Sequence, residues 1–377
     1  MANANKVPSK KVPARIQSVT IEGFRSLRHI DKLELPQLTV LIGANGAGKS
    51  TLIRFFEMLS WMLKSQNLQE FVLRHGGGDD QFFMGARKTP HIRAEIQAEL
   101  EDEILKYGFQ LDHLSAGDSV LVLQEHWHSE RKTSPVNSHT SHFGGASREA
   151  LLPENPAIGA QTICQFLSQC TTYQFHDTSV NSPIRLRWDT TDAVRLRSDG
   201  GNLAAVLLDL QANDPQRYKV IVRQIQRVLP TFKAFVLEPV AGKVELRWQG
   251  LHSDKIFGAH LTSDGSLRLF CLLTLLNLPP ERLPDVMFFD EPELGLHPHA
   301  ITLVAEMLKR LAKSRQIFVA TQSPYMVDCF DLENIIVAES KQGETSLRNL
   351  PREQYQSWLD DDYLLSDIWL TNPVGGL

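Results

Sequence analysis

The stretch LIGANGAGKST, residues 41–51, overlaps an apolar run, LTVLI (38–42), and leads into a longer run that we expect to be helical, STLIRFFEMLSWMLKSQ (50–66). Residues 43–50 satisfy the pattern G-x-x-x-x-G-K-[ST] at every fixed position. Glycines let backbone N–H groups curl around phosphate oxygens, and the N-terminus of the following helix adds partial positive charge. The stretch therefore predicts a strand, a phosphate-binding loop and a helix within an α/β fold.

Two side chains of the phosphate-binding loop (43–50) have specific expected contacts. In such loops the lysine, here Lys49, reaches the β- and γ-phosphates, and the hydroxyl of Ser50 binds Mg²⁺. The predicted cofactors are therefore ATP and Mg²⁺. The residues expected to contact the nucleotide are Asn45, Gly46, Ala47, Gly48, Lys49, Ser50 and Thr51.

A second strong pattern is DVMFFDEPELGLHP (285–298), in which VMFF predicts a strand that ends at two carboxylates. In a nucleotide-binding protein an acid at such a strand end helps to hold Mg²⁺, and we assign this role to Asp290. The adjacent carboxylate, Glu291, is placed to polarise the attacking water as a general base. The alternative is an acidic turn after a core strand, which the phosphate-binding loop makes the weaker interpretation.

The run IFVATQSPYMV (317–327) predicts another apolar strand that ends in small polar residues. A polar group at this strand end can touch the γ-phosphate, and we assign Gln322 to this catalytic switch position. The alternative is an ordinary transition from strand to loop.

The run LTSDGSLRLFCLL (261–273) predicts a helix whose start is polar and flexible. Ser263 is a natural N-cap residue, and an exposed helix N-terminus is an anion site. Because the phosphate-binding loop already has its own helix, this second site makes sense if Ser263, Gly265 and Ser266 face an ATP bound to another subunit. We call residues 263–266 the signature segment; a plain capped helix start is the alternative.

These motifs together resemble the heads of ABC-type ATPases. More narrowly, the chain resembles the prokaryotic ATPases related to RecF, the SMC proteins and the OLD (overcoming lysogenisation defect) ATPases, and two segments resemble a subgroup associated with phage defence. The resemblance implies an SMC-type head with a mixed sheet, an inserted helical lateral lobe and head-to-head dimers. The segments that carry it are IEGFRSL (21–27), the phosphate-binding loop, YQFHDTS (173–179), RSDGGNLAAVL (197–207), SDGSLR (263–268), FFDEPELGLHP (288–298) and ATQSP (320–324).

Two features depart from the wider family, and one family residue is not placed. The transporter signature Leu-Ser-Gly-Gly-Gln is absent, and Gln322 stands where many relatives have histidine. Glutamine can contact a γ-phosphate but cannot carry charge, so a histidine-like proton role is not expected. Relatives also place a glutamine near the metal, and the sequence leaves two candidates for it, Gln81 and Gln97.

The two nucleotide motifs are 241 residues apart, from Lys49 to Asp290, so an insert between them is expected. The predicted division is a flexible tail (1–14), a first ATPase lobe with the phosphate-binding loop and a surface-loop insert (15–180), a lateral helical and hairpin insert (181–258), a second ATPase lobe (259–350) and a C-terminal tail (351–377).

Local patterns refine this division. Residues 91–100 and 119–128 predict strands, whereas 129–160, rich in Ser, His, Gly and Pro, predict a long surface loop. Residues 200–232 have helical spacing and predict two amphipathic helices joined at 213–215. Residues 232–248 predict a hairpin around Ala241-Gly242. No strand pattern is evident after residue 338.

Composition sets limits on partners and location. The chain of 377 residues is 42% apolar with a net charge of −5, so only a local patch could bind nucleic acid electrostatically. No secretory signal or membrane span is evident, which predicts a cytoplasmic protein. Residues 185–233 are locally basic and are the expected DNA surface, although a mixed, solvated face is the alternative, since aspartates are interspersed.

The leading hypothesis is an ATP-driven switch. Two copies would enclose two ATP molecules and control DNA or a separately encoded effector such as a nuclease, in anti-phage defence or DNA repair. The alternative is a scaffold that binds ATP, hydrolyses it slowly or not at all, and assembles a partner. A transporter subunit is disfavoured by the missing signature, and a freestanding nuclease by the lack of converging carboxylates.

Overall fold

The structure is a computed structural model that describes residues 14–132, 134–252, 254–361, 363–371 and 375–376. The predicted flexible tail, 1–14, lies outside these residues except for Ala14. The strands are β1 (Arg15–Phe24), β2 (Leu27–Glu34), β3 (Leu38–Ile42), β4 (His91–Leu100), β5 (Glu103–Leu114), β6 (Ser119–Arg131), β7 (Ser134–Ser147), β8 (Thr171–Tyr173), β9 (Trp188–Asp189), β10 (Phe232–Phe235), β11 (Lys243–Val244), β12 (Arg247–Gly250), β13 (Ile256–Gly258), β14 (Val286–Asp290), β15 (Gln316–Ala320), β16 (Ile335–Lys341) and β17 (Glu344–Asn349). The α-helices are α1 (Lys49–Lys64), α2 (Leu68–Arg74), α3 (Ile158–Leu167), α4 (Leu203–Asn213), α5 (Pro215–Val228), α6 (Asp264–Leu275), α7 (Pro298–Leu311), α8 (Pro324–Val327), α9 (Arg352–Asp360) and α10 (Leu365–Leu370).

Two six-stranded sheets organise the chain. One is antiparallel, in the order β2-β1-β4-β5-β6-β7. The other, the central sheet, has the order β17-β16-β3-β15-β14-β8; it is parallel except for β17 and is therefore mixed, as predicted. Because β3, β14 and β15 run in one direction, the residues that follow them emerge at the same edge of the sheet.

The helix α1 fills the space between the two sheets. Its Phe56 is fully buried and stacks on Phe288 of β14, with ring centroids 4.9 Å apart. Phe288 in turn stacks on Phe318 of β15 at 4.4 Å. The opposite face of the central sheet, with Met287 and Phe289, packs in a second core with helices α4 to α7. Alternating side chains of buried strands therefore serve two cores.

The prediction of a surface loop over 129–160 is wrong. Residues 129–131 end β6 and 134–147 form β7, and the two strands pair in antiparallel register from Val122 opposite Ser147 to Arg131 opposite Ser134. The strand was missed because a backbone ladder does not require apolar side chains, and β7 is a polar strand at the sheet edge. A strand after residue 338 was missed for a similar reason: β17 is polar along most of its length and lies at the edge of the central sheet.

Other local predictions are confirmed. Strands lie at 91–100 and 119–131, and α4 and α5 meet at Asp214, whose carboxylate accepts the backbone N–H of Arg217. The hairpin is present, since β10 pairs with β12 and the turn residues Ala241 and Gly242 have φ of 50° and 76°. The middle of that segment, β11, pairs with β9 instead. The division into lobes stays a prediction; α4 and α5 share one core with α6 and α7.

The predicted C-terminal tail contains α9 and α10, and Trp369 of α10 is buried. In the described ranges no helix combines the length and the apolarity that a membrane span needs.

The phenylalanine stack predicts a large loss of stability on truncation. Replacing Phe56 by Ala should lower the free energy of unfolding by about 3–5 kcal/mol, because it removes the ring that joins α1 to β14 and β15. Unfolding in urea measures this change. Leu73→Ala, at a side chain that is 73% exposed, is the control and should change the value by less than about 0.5 kcal/mol. A similar small loss for Phe56→Ala would contradict the account of the core.

Candidate nucleotide site

The phosphate-binding loop lies between β3 and α1, as its sequence predicts. Lys49 is the first residue of α1 and is buried, and its Nζ donates to the carbonyls of Gly43 at 2.6 Å and Ala44 at 2.9 Å. Burial lowers the pKa of Lys49, while the nearby carboxylates of Glu291 and Asp290 act to raise it. The ammonium group is therefore partly desolvated and held inside the loop, facing acids across the site.

Gly48 has a conformation and a neighbour that require glycine. Its φ is 100°, and a Cβ on Gly48 would collide with the side chain of Thr345 on β17. Thr345 is buried; its hydroxyl donates to Ser26 at 2.9 Å, and Ser26 donates to Thr51 of α1 at 3.1 Å. The missed strand β17 and the segment 21–27 therefore hold the start of α1 in place.

Ser50 and Asp290 meet at the edge of the central sheet. The Ser50 hydroxyl donates to Asp290 Oδ2 across 3.1 Å, although 240 residues separate them. A third side chain joins them, since Gln174 Nε2 donates to the same oxygen at 3.3 Å. Hydroxyl, carboxylate and amide oxygens are the ligands that Mg²⁺ prefers, so this group fits a magnesium ion carried by nucleotide phosphates.

Gln174 was not found from the sequence. Gln81, one of the two candidates, accepts a hydrogen bond from Arg25 at 3.1 Å, and Gln97, the other, donates to Gln17 at 2.6 Å. Gln174 follows β8, the strand that pairs with β14 in the central sheet. The signal that could have found it is a polar residue directly after a short strand, but β8 has only three residues and no clear apolar pattern.

Glu291 and Gln322 are also in contact. Gln322 Nε2 donates to Glu291 Oε1 at 2.8 Å, and the backbone N–H of Glu291 donates to the carbonyl of Ala320 at 2.8 Å. Glu291 has a φ of 44°, which is uncommon for a residue with a side chain. The carboxylate is therefore fixed between the ends of β14 and β15.

Glu293 holds the segment that carries Gln322, and it was not predicted from the sequence. It is only 8% exposed, and its Oε1 accepts the hydroxyl of Thr321 at 2.5 Å. Its Oε2 has no hydrogen-bond partner within the described residues. Burial raises the pKa of Glu293. A buried acid thus anchors the segment that presents Gln322 to Glu291.

The signature segment begins α6 as predicted. Ser263 caps the helix by accepting the backbone N–H of Ser266 at 3.2 Å, and its hydroxyl donates to that of Ser266 at 2.8 Å. Ser263 is exposed. A Cβ on Gly265 would collide with the carbonyl of Gly295, in the loop that follows Glu291. The helix start is thus exposed and packs against the loop that leaves β14.

Arg268 links these loops, and sequence reasoning gave it no role. Its guanidinium donates to the carbonyls of Phe175 at 3.1 Å and His176 at 3.1 Å, just after Gln174. It also donates to the carbonyl of Leu294 at 3.0 Å. One side chain of α6 therefore joins the loop that carries Gln174 to the loop that follows Glu291.

Comparisons with known proteins give a family match over most of the chain. Residues 38–328 match the family described as "AAA domain, putative AbiEii toxin, Type IV TA system". A comparison with curated proteins found no match.

Solved structures share the fold. A crystal structure of an Smc head bound to the C-terminal winged-helix domain of ScpA has a TM-score of 0.54 at 14% identity, covering 91% of this chain and 99% of that one. An Smc head with an extended coiled coil, bound to the C-terminal domain of ScpA from Pyrococcus furiosus, has a TM-score of 0.55 at 14% identity, covering 93% and 99%. The likeness shows that the chain has the fold of an SMC-type ATPase head.

The raised pKa of Glu293 predicts a pH effect on stability. A carboxyl group whose pKa is raised on folding stabilises the folded chain while it is protonated. This contribution is complete below the pKa of the unfolded chain, about 4.3, and is lost as pH rises through the pKa of the folded chain. Glu293→Gln stays neutral and keeps the acceptor for Thr321. The free energy of unfolding of the native chain should therefore fall relative to Glu293→Gln as pH rises from about 4.3.

Urea unfolding at a series of pH values measures this difference. Parallel pH dependences for the two proteins would show that Glu293 ionises as freely in the folded chain as in the unfolded one, and would contradict the effect that burial is expected to have on its pKa.

Proposed function

The chain belongs to the AAA-domain family that matches residues 38–328, and from this premise we propose that it is an ATP-binding and ATP-hydrolysing molecular switch. The observation that carries the proposal is the convergence of Ser50, Asp290 and Gln174 beside the paired Glu291 and Gln322. Candidate ligands for Mg²⁺ and a candidate base thus lie at one sheet edge, next to the phosphate-binding loop.

Nucleotide binding uses the groups of the phosphate-binding loop. Lys49 would exchange the carbonyls of Gly43 and Ala44 for the β- and γ-phosphate oxygens, which returns a partly desolvated ammonium to a strong anionic partner. Ser50 and Asp290 would hold Mg²⁺, with Gln174 beside them. The metal neutralises charge on the phosphates when it is bound.

Hydrolysis needs a water held in line with the γ-phosphate. Glu291 would accept the proton of that water as its oxygen attacks phosphorus and the bond to ADP breaks. Gln322 orients Glu291 through its amide, and it cannot itself take the proton. Glu293 holds Thr321, the residue before Gln322, through its hydroxyl.

The second half of the site would come from another copy of the chain. Ser263 is exposed at the N-terminus of α6, where hydroxyl and N–H donors favour an anion. We propose that this helix start meets the γ-phosphate bound to the partner, so that two chains enclose two ATP molecules. Hydrolysis then separates them.

The output of the switch is a partner. The Smc heads that share this fold were solved with a bound domain of ScpA, which supports the use of such a head to bind another protein. For this chain we propose a separately encoded effector, such as a nuclease, or DNA. The proposed setting, from family likeness, is the cytoplasm, in phage defence or DNA repair.

The shared site predicts an ATP-dependent dimer. Glu291→Gln should bind ATP, lose about 100-fold or more of its turnover because the base is gone, and accumulate as a dimer in ATP but not in ADP. Light scattering coupled to size exclusion measures the mass. Lys49→Ala is the control and should stay monomeric because it loses the phosphate contact. A Glu291→Gln protein that remains monomeric in saturating ATP would contradict the proposal.

The signature segment can be tested separately. Ser263→Arg places a large side chain at the exposed start of α6, and should abolish hydrolysis by blocking the approach of the partner. ATP binding to the single chain, followed with a fluorescent ATP analogue, should be unchanged. Retained turnover in this variant would argue that the site is complete within one chain.

A further inference from the structure

The helix α5 contains no acidic residue and has one exposed side. Its sequence is PQRYKVIVRQIQRV. Ile221 and Ile225 are buried, and the opposite side is exposed. The exposed residues of that side are Gln216, Lys219, Val220, Arg223 and Arg227.

The cations of this side form a line. Lys219, Arg223 and Arg227 are four residues apart, so they lie within about 80° of one another and span about 12 Å of the helix. Lys233 adjoins the end of the line, because Gln226 of α5 donates to the carbonyl of Lys233 at 2.9 Å. Lys219, Arg223, Arg227 and Lys233 are called the α5 strip.

The strip differs from four of the five other basic residues of 185–233. Those four are in ion pairs: Arg185 with Asp264, Arg187 with Glu245, Arg197 with Asp192 and Asp199, and Arg217 with Asp214. The fifth, Arg195, is exposed and, like the strip, has no ion pair among the described residues. Over the part of the chain that the structure describes, none of the four strip residues has an ion pair. Three of the interspersed aspartates, Asp192, Asp199 and Asp214, therefore pair with arginines outside the strip and leave the strip charged.

Helix stability does not account for the strip. Like charges four residues apart repel and weaken a helix. Only Arg227 lies in the last turn, where a cation gains from the helix dipole. Lys219 and Arg223 lie nearer the middle and gain nothing comparable. The repulsion would be relieved by an anionic partner.

The spacing fits a polyphosphate backbone. One strand of duplex DNA has a phosphate every 3.4 Å of axis, so a strip of about 12 Å faces about three to four phosphates. The exposed side of α5 carries no aromatic residue, whereas proteins that hold single strands stack bases on aromatic rings. The chemistry therefore favours backbone contacts to a duplex.

We propose that the α5 strip binds the phosphate backbone of duplex nucleic acid without reading its sequence. The inference deepens the DNA arm of the proposed function, but it does not depend on ATP. The net charge of −5 over the whole chain keeps binding local to the strip.

The test measures binding of the full chain to a short fluorescent DNA duplex of mixed sequence, without nucleotide, over a series of salt concentrations. Arg223→Gln/Arg227→Gln should weaken binding and make the salt dependence of log Kd shallower by about 2, one for each lost phosphate contact. Glutamine is a good helix former, so α5 should persist, which circular dichroism checks.

The matched control is Arg187→Gln/Arg197→Gln. It also removes two exposed positive charges, but from arginines that are already paired, and it should leave the salt slope unchanged. Lys49→Ala should bind the duplex like the native chain, so failure of ATP binding and failure of this proposal are distinguishable.

Several results would overturn the proposal: no duplex binding by the native chain at low salt, equal losses in the two double variants, or tighter binding of a single strand. If polyglutamate at the same total charge competes as strongly as unlabelled duplex DNA, the partner would instead be an acidic protein.

Unlabelled duplex DNA and duplex RNA, used as competitors, show which of the two duplexes binds more tightly. Competition by either duplex supports the proposal.

Discussion

Parallel pairing of β3, β14 and β15 is the constraint on which the site depends. Each strand ends at the same edge, so the phosphate-binding loop, Asp290 and the segment with Gln322 come together although they are far apart in the chain. The pairing is stabilised where α1 packs Phe56 against the two neighbouring strands. The same packing that holds the core therefore sets the distance between Ser50 and Asp290.

The site is also connected as one network. Glu293 holds the end of β15, Gln322 reaches Glu291, and Gln174 reaches Asp290. Arg268 then ties the loops of Gln174 and Glu291 to α6, whose first turn is the exposed signature segment. A change at the phosphates could in this way be passed to the surface that we propose meets a second chain.

Much of this could be predicted from the sequence. Fixed spacing and apolar strands predicted where Lys49, Ser50 and Asp290 lie, at the ends of β3 and β14, because loop and strand are local features. Gln174 and Glu293 were missed because their contacts are with residues that are distant in sequence. The edge strands β7 and β17 were missed because polar side chains hide a backbone ladder. Likewise, the sequence could not separate the paired arginines from the α5 strip, since pairing depends on which acids the fold brings near.

The proposed ATP site is completed by two copies of the chain. The most direct test is steady-state phosphate release from ATP and Mg²⁺, measured per chain over a wide range of protein concentration. We expect turnover per chain to rise with concentration and then to level off, because only dimers hydrolyse ATP. Turnover that is independent of concentration down to the most dilute samples would contradict it, since one chain would then suffice.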